Sequence, residues 1–213
     1  AMERGAVLLL DEIDLGSPAR IMCLQSILEG KPYFIKRTGE FVEPKPGFTI
    51  VATANTKGRG DEDGNYVATN FLNEAFLERF AILFEHDYPP RNVEVEILKK
   101  HLGSLDMGSE DDIEFADILT KFAEQVRKSR KETAGFDHTI STRRLIHIIN
   151  SYSIFGRNRK KALDVCLSRF DEHHKTAFLQ AYKQFDPVSL QEEAELRAKD
   201  DDMGDIFNLQ PFS

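Results

Sequence analysis

Asp11 and Glu12 are the residues best placed to do chemistry: two adjacent carboxylates that end the apolar run Ala6-Val7-Leu8-Leu9-Leu10. An apolar run of this length reads as a buried strand of a parallel sheet. The acids then fall at the strand's carboxyl end, where open α/β sheets place their ligands. There two carboxylates can divide the labour of nucleotide hydrolysis. Asp11 would hold Mg²⁺, directly or through its waters, and Glu12 would polarise the attacking water. A strand that ends on a solvated acidic turn accounts for the same residues, and the pair alone does not choose between the two. Three further polar positions stand at element ends. Asn55 closes an apolar stretch, Arg79 ends a short helix, and Arg143, with Arg144 beside it, lies in the first turn of a later helix.

The elements that must position these residues are legible from pattern. Ser17 and Pro18 form a helix start, Ile21, Leu24, Ile27 and Leu28 repeat at helical spacing, and Gly30 is a stop. Residues 33–35 and 41–42 flank Arg37-Thr38-Gly39-Glu40 and read as a hairpin. Residues 48–54 read as a second buried strand, 56–69 as a glycine-containing polar loop, 74–79 as a short helix and 81–84 as a third strand. The second half is helical. Pro90 opens a helix ending near Gly103, and Ser109 caps the next with Asp112 as capping-box partner. Ser141 caps another that runs towards Gly156, and two more follow around 158–169 and 172–184.

Composition excludes several classes. The 213 residues, 41% hydrophobic, can fill a core of one domain or one and a half. The formal charge is −8, and residues 192–205 alone carry seven acids against two bases, so the body is only mildly acidic. No basic field calls for nucleic acid. Two cysteines, Cys23 and Cys166, suggest no disulfide framework and fit a reducing, cytoplasmic setting. No run approaches membrane-spanning length. Two other clusters carry less weight. His173-His174 with Cys166 is a poor metal set, because adjacent helical residues point about 100° apart. Asp61-Glu62-Asp63-Gly64-Asn65 lacks the EF-hand spacing and reads as a polar turn.

The strings LLLDEIDLGSPARIMCLQSILEG, FTIVATANT, FLNEAFLERF and STRRLIH occur in one order over about residues 2–155. In that order and spacing the chain resembles an AAA+ ATPase module of the MoxR branch, and within it the CobS-type small subunit of cobaltochelatase. The resemblance implies an α/β fold: a partial AAA+ module, its parallel sheet lacking its first strands, followed by an all-α lid. Residues 1–88 would be the C-terminal part of the core, 89–186 the lid and 187–213 an acidic, weakly ordered tail.

The resemblance also implies roles. Asp11 and Glu12 match Walker B. Asn55 matches sensor 1, whose amide offers both a donor and an acceptor. Arg79 matches the arginine finger, a planar permanent cation suited to a phosphoryl group gaining charge. A surface pair with Glu78 or Glu85 is its plainer alternative. Arg143 matches sensor 2, with Arg144 its rival. The hairpin at 33–42 sits where this branch carries a pre-sensor insertion. Its Lys31, Lys36, Arg37 and Lys45 read better as solubilising an edge than as a grip on a partner. No G-x-x-x-x-G-K-[ST] occurs in the sequence, so the phosphates lack a backbone cradle. The family's first strand, P-loop and first helix would precede residue 1, which makes the chain read as a fragment with poor nucleotide affinity of its own. In the family's sheet that first strand lies beside the sensor 1 strand. The expected activity of the complete protein is ATP hydrolysis with ATP and Mg²⁺ as cofactors, in a homo-oligomeric ring, a hexamer by resemblance. The ring would remodel a partner protein, a metal-chelatase subunit being one candidate. The alternatives are a non-hydrolysing AAA+-like adaptor and a phage or plasmid helicase-like motor.

Overall fold

The computed structural model describes residues 1–60, 68–133, 136 and 138–186. The turn at 61–65 and the acidic tail considered above lie outside them. The chain divides into two compact units, Ala1–Glu85 and a second that begins at His86.

The first unit is α/β. Strands β1 (Val7–Leu10) and β4 (Thr49–Ala52) pair in parallel, Val7 opposite Thr49 and Leu10 opposite Ala52. Between them lie helix α1 (Pro18–Ile21), a 3₁₀ turn (Met22–Leu24), helix α2 (Gln25–Leu28) and a hairpin of β2 (Tyr33–Ile35) and β3 (Glu40–Val42). Pro18 stands at the first helical position, where its missing N–H costs nothing. The hairpin closes on the antiparallel pair Phe34–Phe41, whose rings lie 4.8 Å apart. Helix α3 (Glu74–Leu77) is capped by Asn73, whose side chain accepts from Ala75 N at 2.8 Å. Ile13, Ile21, Leu72 and Phe76 form the buried centre, with Leu10, Leu24, Ala52 and Phe80 packed around it. At the entry to β1, Gly5 (φ 61°) lies so close to the 45–47 turn that a Cβ would sit 2.1 Å from the Pro46 carbonyl oxygen.

Two expectations need correction here. The run 6–10 was expected to be buried on both faces, but Val7 and Leu9 are 61% and 60% exposed. Such strands are apolar on both sides because helices cover both, and the described residues cover only one. Residues 81–84 are no strand. A strand needs a hydrogen-bonded neighbour, and among the described residues this segment pairs with none, leaving Phe84 85% exposed.

The second unit is all-helical: α4 (Arg91–Ser104), α5 (Glu110–Thr133), α6 (Thr142–Ile154), α7 (Arg159–Leu167) and α8 (Glu172–Lys183). Its core is one cluster that includes Leu98, Phe115, Leu119, Phe122, Leu145, Ile148, Leu163 and Phe178. The caps are those the sequence signals. The Asp112 carboxylate accepts from Gly108 N and Ser109 N, each at 3.0 Å, while Ser109 Oγ accepts from Asp112 N at 3.3 Å. Ser141 Oγ accepts from Arg144 N at 3.2 Å and starts α6. The observed fold class is thus the expected one, a small parallel α/β unit followed by helices.

Two buried ion networks tie the helices together. Arg127 donates to both carboxylate oxygens of Glu94, at 2.9 and 2.7 Å, and through Nε to the Ile140 carbonyl at 2.8 Å. Arg159 reaches Asp186 at 3.1 Å, Glu114 at 3.0 Å and the Asp111 carbonyl at 3.1 Å. No helix among the described residues is long and apolar enough to cross a membrane.

Candidate active site

The parallel register of β1 and β4 decides the site. Because Leu10 lies opposite Ala52, the segments that follow, Asp11-Glu12 and Thr53-Ala54-Asn55, leave the same edge of the sheet side by side. Backbone bonds continue the pairing beyond the strands, Thr53 N to Leu10 O at 3.0 Å and Ile13 N to Thr53 O at 2.9 Å. Thr53 then joins the two acids. Its hydroxyl donates to Asp11 Oδ1 at 2.6 Å and accepts from Glu12 N at 2.9 Å. One hydroxyl, positioned by the opposite strand, therefore orients the Asp11 carboxylate and fixes the Glu12 backbone.

Glu12 holds φ 50°, ψ 51°, the left-handed region. For a residue with a Cβ this costs about 1–2 kcal/mol, and such conformations persist where the surroundings over-determine them, often at functional sites. The bond from Glu12 N to Thr53 is one such constraint. Asp11, Glu12 and Asn55 are all exposed.

Behind them lies a residue that sequence reasoning passed over. Asp14, in the 3₁₀ turn Ile13–Leu15, is fully buried. Its Oδ2 accepts from Asn55 N at 2.9 Å, Thr56 N at 3.0 Å and Thr56 Oγ1 at 2.9 Å. Its main-chain carbonyl accepts from Asn70 N at 2.7 Å. Asn70 Nδ2 also reaches the Gly16 carbonyl at 3.3 Å. The available signal was an acid flanked by Ile13 and Leu15 immediately after the site pair. Thr53 carried no signal of its own, because its partners are 41 and 42 residues away.

Arg79 is placed differently. Its Nε donates to Glu29 Oε1 at 2.7 Å, and a second guanidinium nitrogen donates to the Ala75 carbonyl. Hydrogen bonds from Lys31 and from Arg79 hold the Glu29 carboxyl below its usual range. The partner is therefore neither Glu78 nor Glu85, and Glu85 instead meets Lys57 at 2.7 Å. These contacts leave Arg79 half-buried, and neither of them is with Asp11 or Glu12.

In the helical unit, Arg143 and Arg144 occupy the first turn of α6. Arg143 is exposed. Arg144 is half-buried and donates to the Cys166 carbonyl at 3.1 Å. Burial, with nearby Arg169, lowers its pKa from the usual value.

His173 and His174 have Asp171 as a third neighbour, the potential ligand atoms of all three lying within 4.8 Å of one another. Cys166 is not part of that group and contacts Ser151 Oγ at 3.2 Å. Both Asp171 oxygens are engaged by His174, from its backbone N at 2.9 Å and with Nδ1 at 2.6 Å. That is the geometry of a helix N-cap.

The donor set after β1 suits Mg²⁺. Asp11 offers carboxylate oxygens to a hard cation that usually takes one or two carboxylates and completes its shell from phosphates and water. The sequence contains no G-x-x-x-x-G-K-[ST] cradle for the phosphates.

Residues 1–80 match the AAA domain family, dynein-related subfamily. The chain is 34% identical over 100 residues to the aerobic cobaltochelatase subunit CobS of Sinorhizobium sp, a match covering 46% of this chain and 30% of CobS. It is 27% identical over 182 residues to an uncharacterised protein of Staphylococcus saprophyticus, covering 85% of this chain and 64% of that protein. A Staphylococcus epidermidis protein is 27% identical over 186 residues with the same coverages. The chain thus spans less than two thirds of the length of each of these relatives. No solved structure matches it significantly. Residues 1–80 thus resemble an AAA domain, and over part of its length the chain is similar to a CobS-type AAA+ ATPase subunit.

Proposed function

We propose that the protein of which this chain is part hydrolyses ATP with Mg²⁺ in a homo-oligomeric ring and uses the energy to remodel a partner protein. The observation that carries this reading is the Thr53 hydroxyl, which binds Asp11 and Glu12 while Asn55 leaves the same edge two residues on. In this reading Asp11 holds Mg²⁺, which when bound neutralises charge on the phosphates. Glu12 accepts the proton of the attacking water and polarises it. Asn55 orients that water through its amide.

Arg79 acts in trans in this reading, and its bond to Glu29 gives way when the neighbouring subunit's nucleotide offers a stronger anion. Arg143 is the lid arginine that meets nucleotide. Its exposure supports it over Arg144, which is already engaged with Cys166. Residues 1–88 act as the core and 89–186 as the lid. The CobS relative is named as a cobaltochelatase subunit, which makes a metal-chelatase subunit a candidate for the partner.

A mixing experiment tests the reading in a protein carrying this chain together with a phosphate-binding loop. Glu12→Gln and Arg79→Ala are each expected to abolish turnover, the latter by about a thousandfold or more. In a mixed ring, some sites combine an intact Glu12 with a neighbour's intact Arg79, and activity should return in part. If mixed rings form and nothing is restored, Arg79 does not act in trans and the ring mechanism is wrong.

A further inference from the structure

We propose that Asp14 is a positioning residue for hydrolysis: its buried carboxylate holds the Asn55 loop in register with Asp11 and Glu12. The proposal rests on the reading of the site given above. Among the described residues, a single oxygen of this carboxylate takes three hydrogen bonds from the loop after β4: two consecutive backbone N–H groups, Asn55 and Thr56, and the Thr56 hydroxyl. Hydrogen bonds to an ionised acceptor are roughly twice as strong as neutral ones. They are not screened here, because Asp14 is fully buried. The other oxygen, Oδ1, is also buried and accepts no hydrogen bond among the described residues. A carboxylate kept in the interior with half its acceptor capacity idle is costly. Stability alone would favour a neutral acceptor that spends nothing on desolvating a charge.

What the charge fixes is the path of one particular loop. Thr53, two residues before Asn55, already fixes Asp11 and Glu12 from the β4 side. Asp14, two residues after Glu12, fixes Asn55 and Thr56 from the β1 side. The two bonds cross, so each loop holds the other's polar residue. The Asp14 carbonyl extends the tie to Asn70 at 2.7 Å, three residues before the cap of the helix that leads to Arg79. An error of about 1 Å in placing a catalytic group can cost about a hundredfold in rate, which is the scale on which such a clamp acts.

Asp14→Asn is the informative substitution. It preserves size and one acceptor but replaces three charge-assisted bonds by neutral ones. It also sets an NH₂ where Oδ1 has no partner. In the ATPase that contains this chain, Asp14→Asn should lower kcat about ten- to hundredfold, with KM and nucleotide affinity unchanged. A residue that only supports the fold would not couple to Asn55. The double variant Asp14→Asn/Asn55→Ala should therefore be no slower than Asn55→Ala alone. Multiplicative losses, or an unchanged kcat in Asp14→Asn, overturn the proposal. Amide hydrogen exchange on the chain reads the clamp without any activity. Asp14→Asn should speed exchange at the Asn55 and Thr56 amides about tenfold or more and leave the helices from α4 onward unchanged. Unaltered exchange at those two amides overturns the clamp. If the unsubstituted protein hydrolyses no ATP, the reading of the site fails, and exchange alone then decides whether Asp14 holds the loop.

Discussion

Arg127→Met should destabilise the helical unit more than any single substitution on its surface. Arg127 and Glu94 are 10% and 1% exposed. Their two parallel bonds, at 2.9 and 2.7 Å, form a bidentate pair. The guanidinium also serves the Ile140 carbonyl and lies 3.8 Å from the centre of the Tyr88 ring. Glu94 Oε1 accepts in addition from the Thr142 hydroxyl at 2.6 Å. Methionine keeps most of the stem's apolar contact, so the loss is electrostatic. It leaves a buried carboxylate with one hydroxyl donor and an unpaired carbonyl. Breaking a buried pair in this way costs about 3–5 kcal/mol. With a urea dependence of about 2 kcal/mol per M, the midpoint should fall by about 2 M. Urea unfolding followed by far-UV ellipticity measures this, since the helices dominate that signal. The double variant Arg127→Met/Glu94→Leu removes both charges and should regain most of the loss. A midpoint shift below about 0.5 M for Arg127→Met, the range of exposed pairs, would refute the reasoning. So would a double variant as unstable as the sum of the singles.

Two further outcomes follow from the same kind of argument. Burial works against ionisation of Asp112, but hydrogen bonds from Arg157 and from the Ser109 side chain and backbone outweigh it and hold its pKa at about 2 against an ordinary 3.8. The stability it adds is complete above about pH 4 and is lost as pH falls towards 2. The loss is about 1–2 kcal/mol once the solvent exposure of Arg157 is allowed for, and Asp112→Asn should remove that part of the acid dependence in pH-resolved thermal unfolding. Isothermal titration of the chain with ATP and Mg²⁺ should give weak or no binding, because no cradle for the phosphates exists in its sequence. A micromolar dissociation constant, about −8 kcal/mol, would contradict this.

What could be foreseen from the sequence was local. Pro90, Ser109 with Asp112, Ser141 and Gly156 mark helix ends through contacts within a few residues, and the corresponding ends are where those residues put them. The hairpin at Gly39 follows the same logic. The strand-like run 81–84 misled because β structure depends on a neighbour that a local pattern does not contain. The ties at Thr53 and Asp14 span 41 and 42 residues, and the Arg79–Glu29 pair spans 50. No spacing rule reaches that far. Family order supplied candidate positions such as Asn55 and Arg79, while the residues that hold them have no motif of their own and are brought to them only by the fold.

The left-handed backbone at Glu12 sets stability against retention of the acid. Asparagine tolerates that conformation better than glutamate does, so replacing the acid relieves local strain as it removes the carboxylate. Laboratory selection of this chain for heat resistance alone would therefore tend to discard Glu12 early. A lineage that keeps glutamate there does so under a demand other than folding.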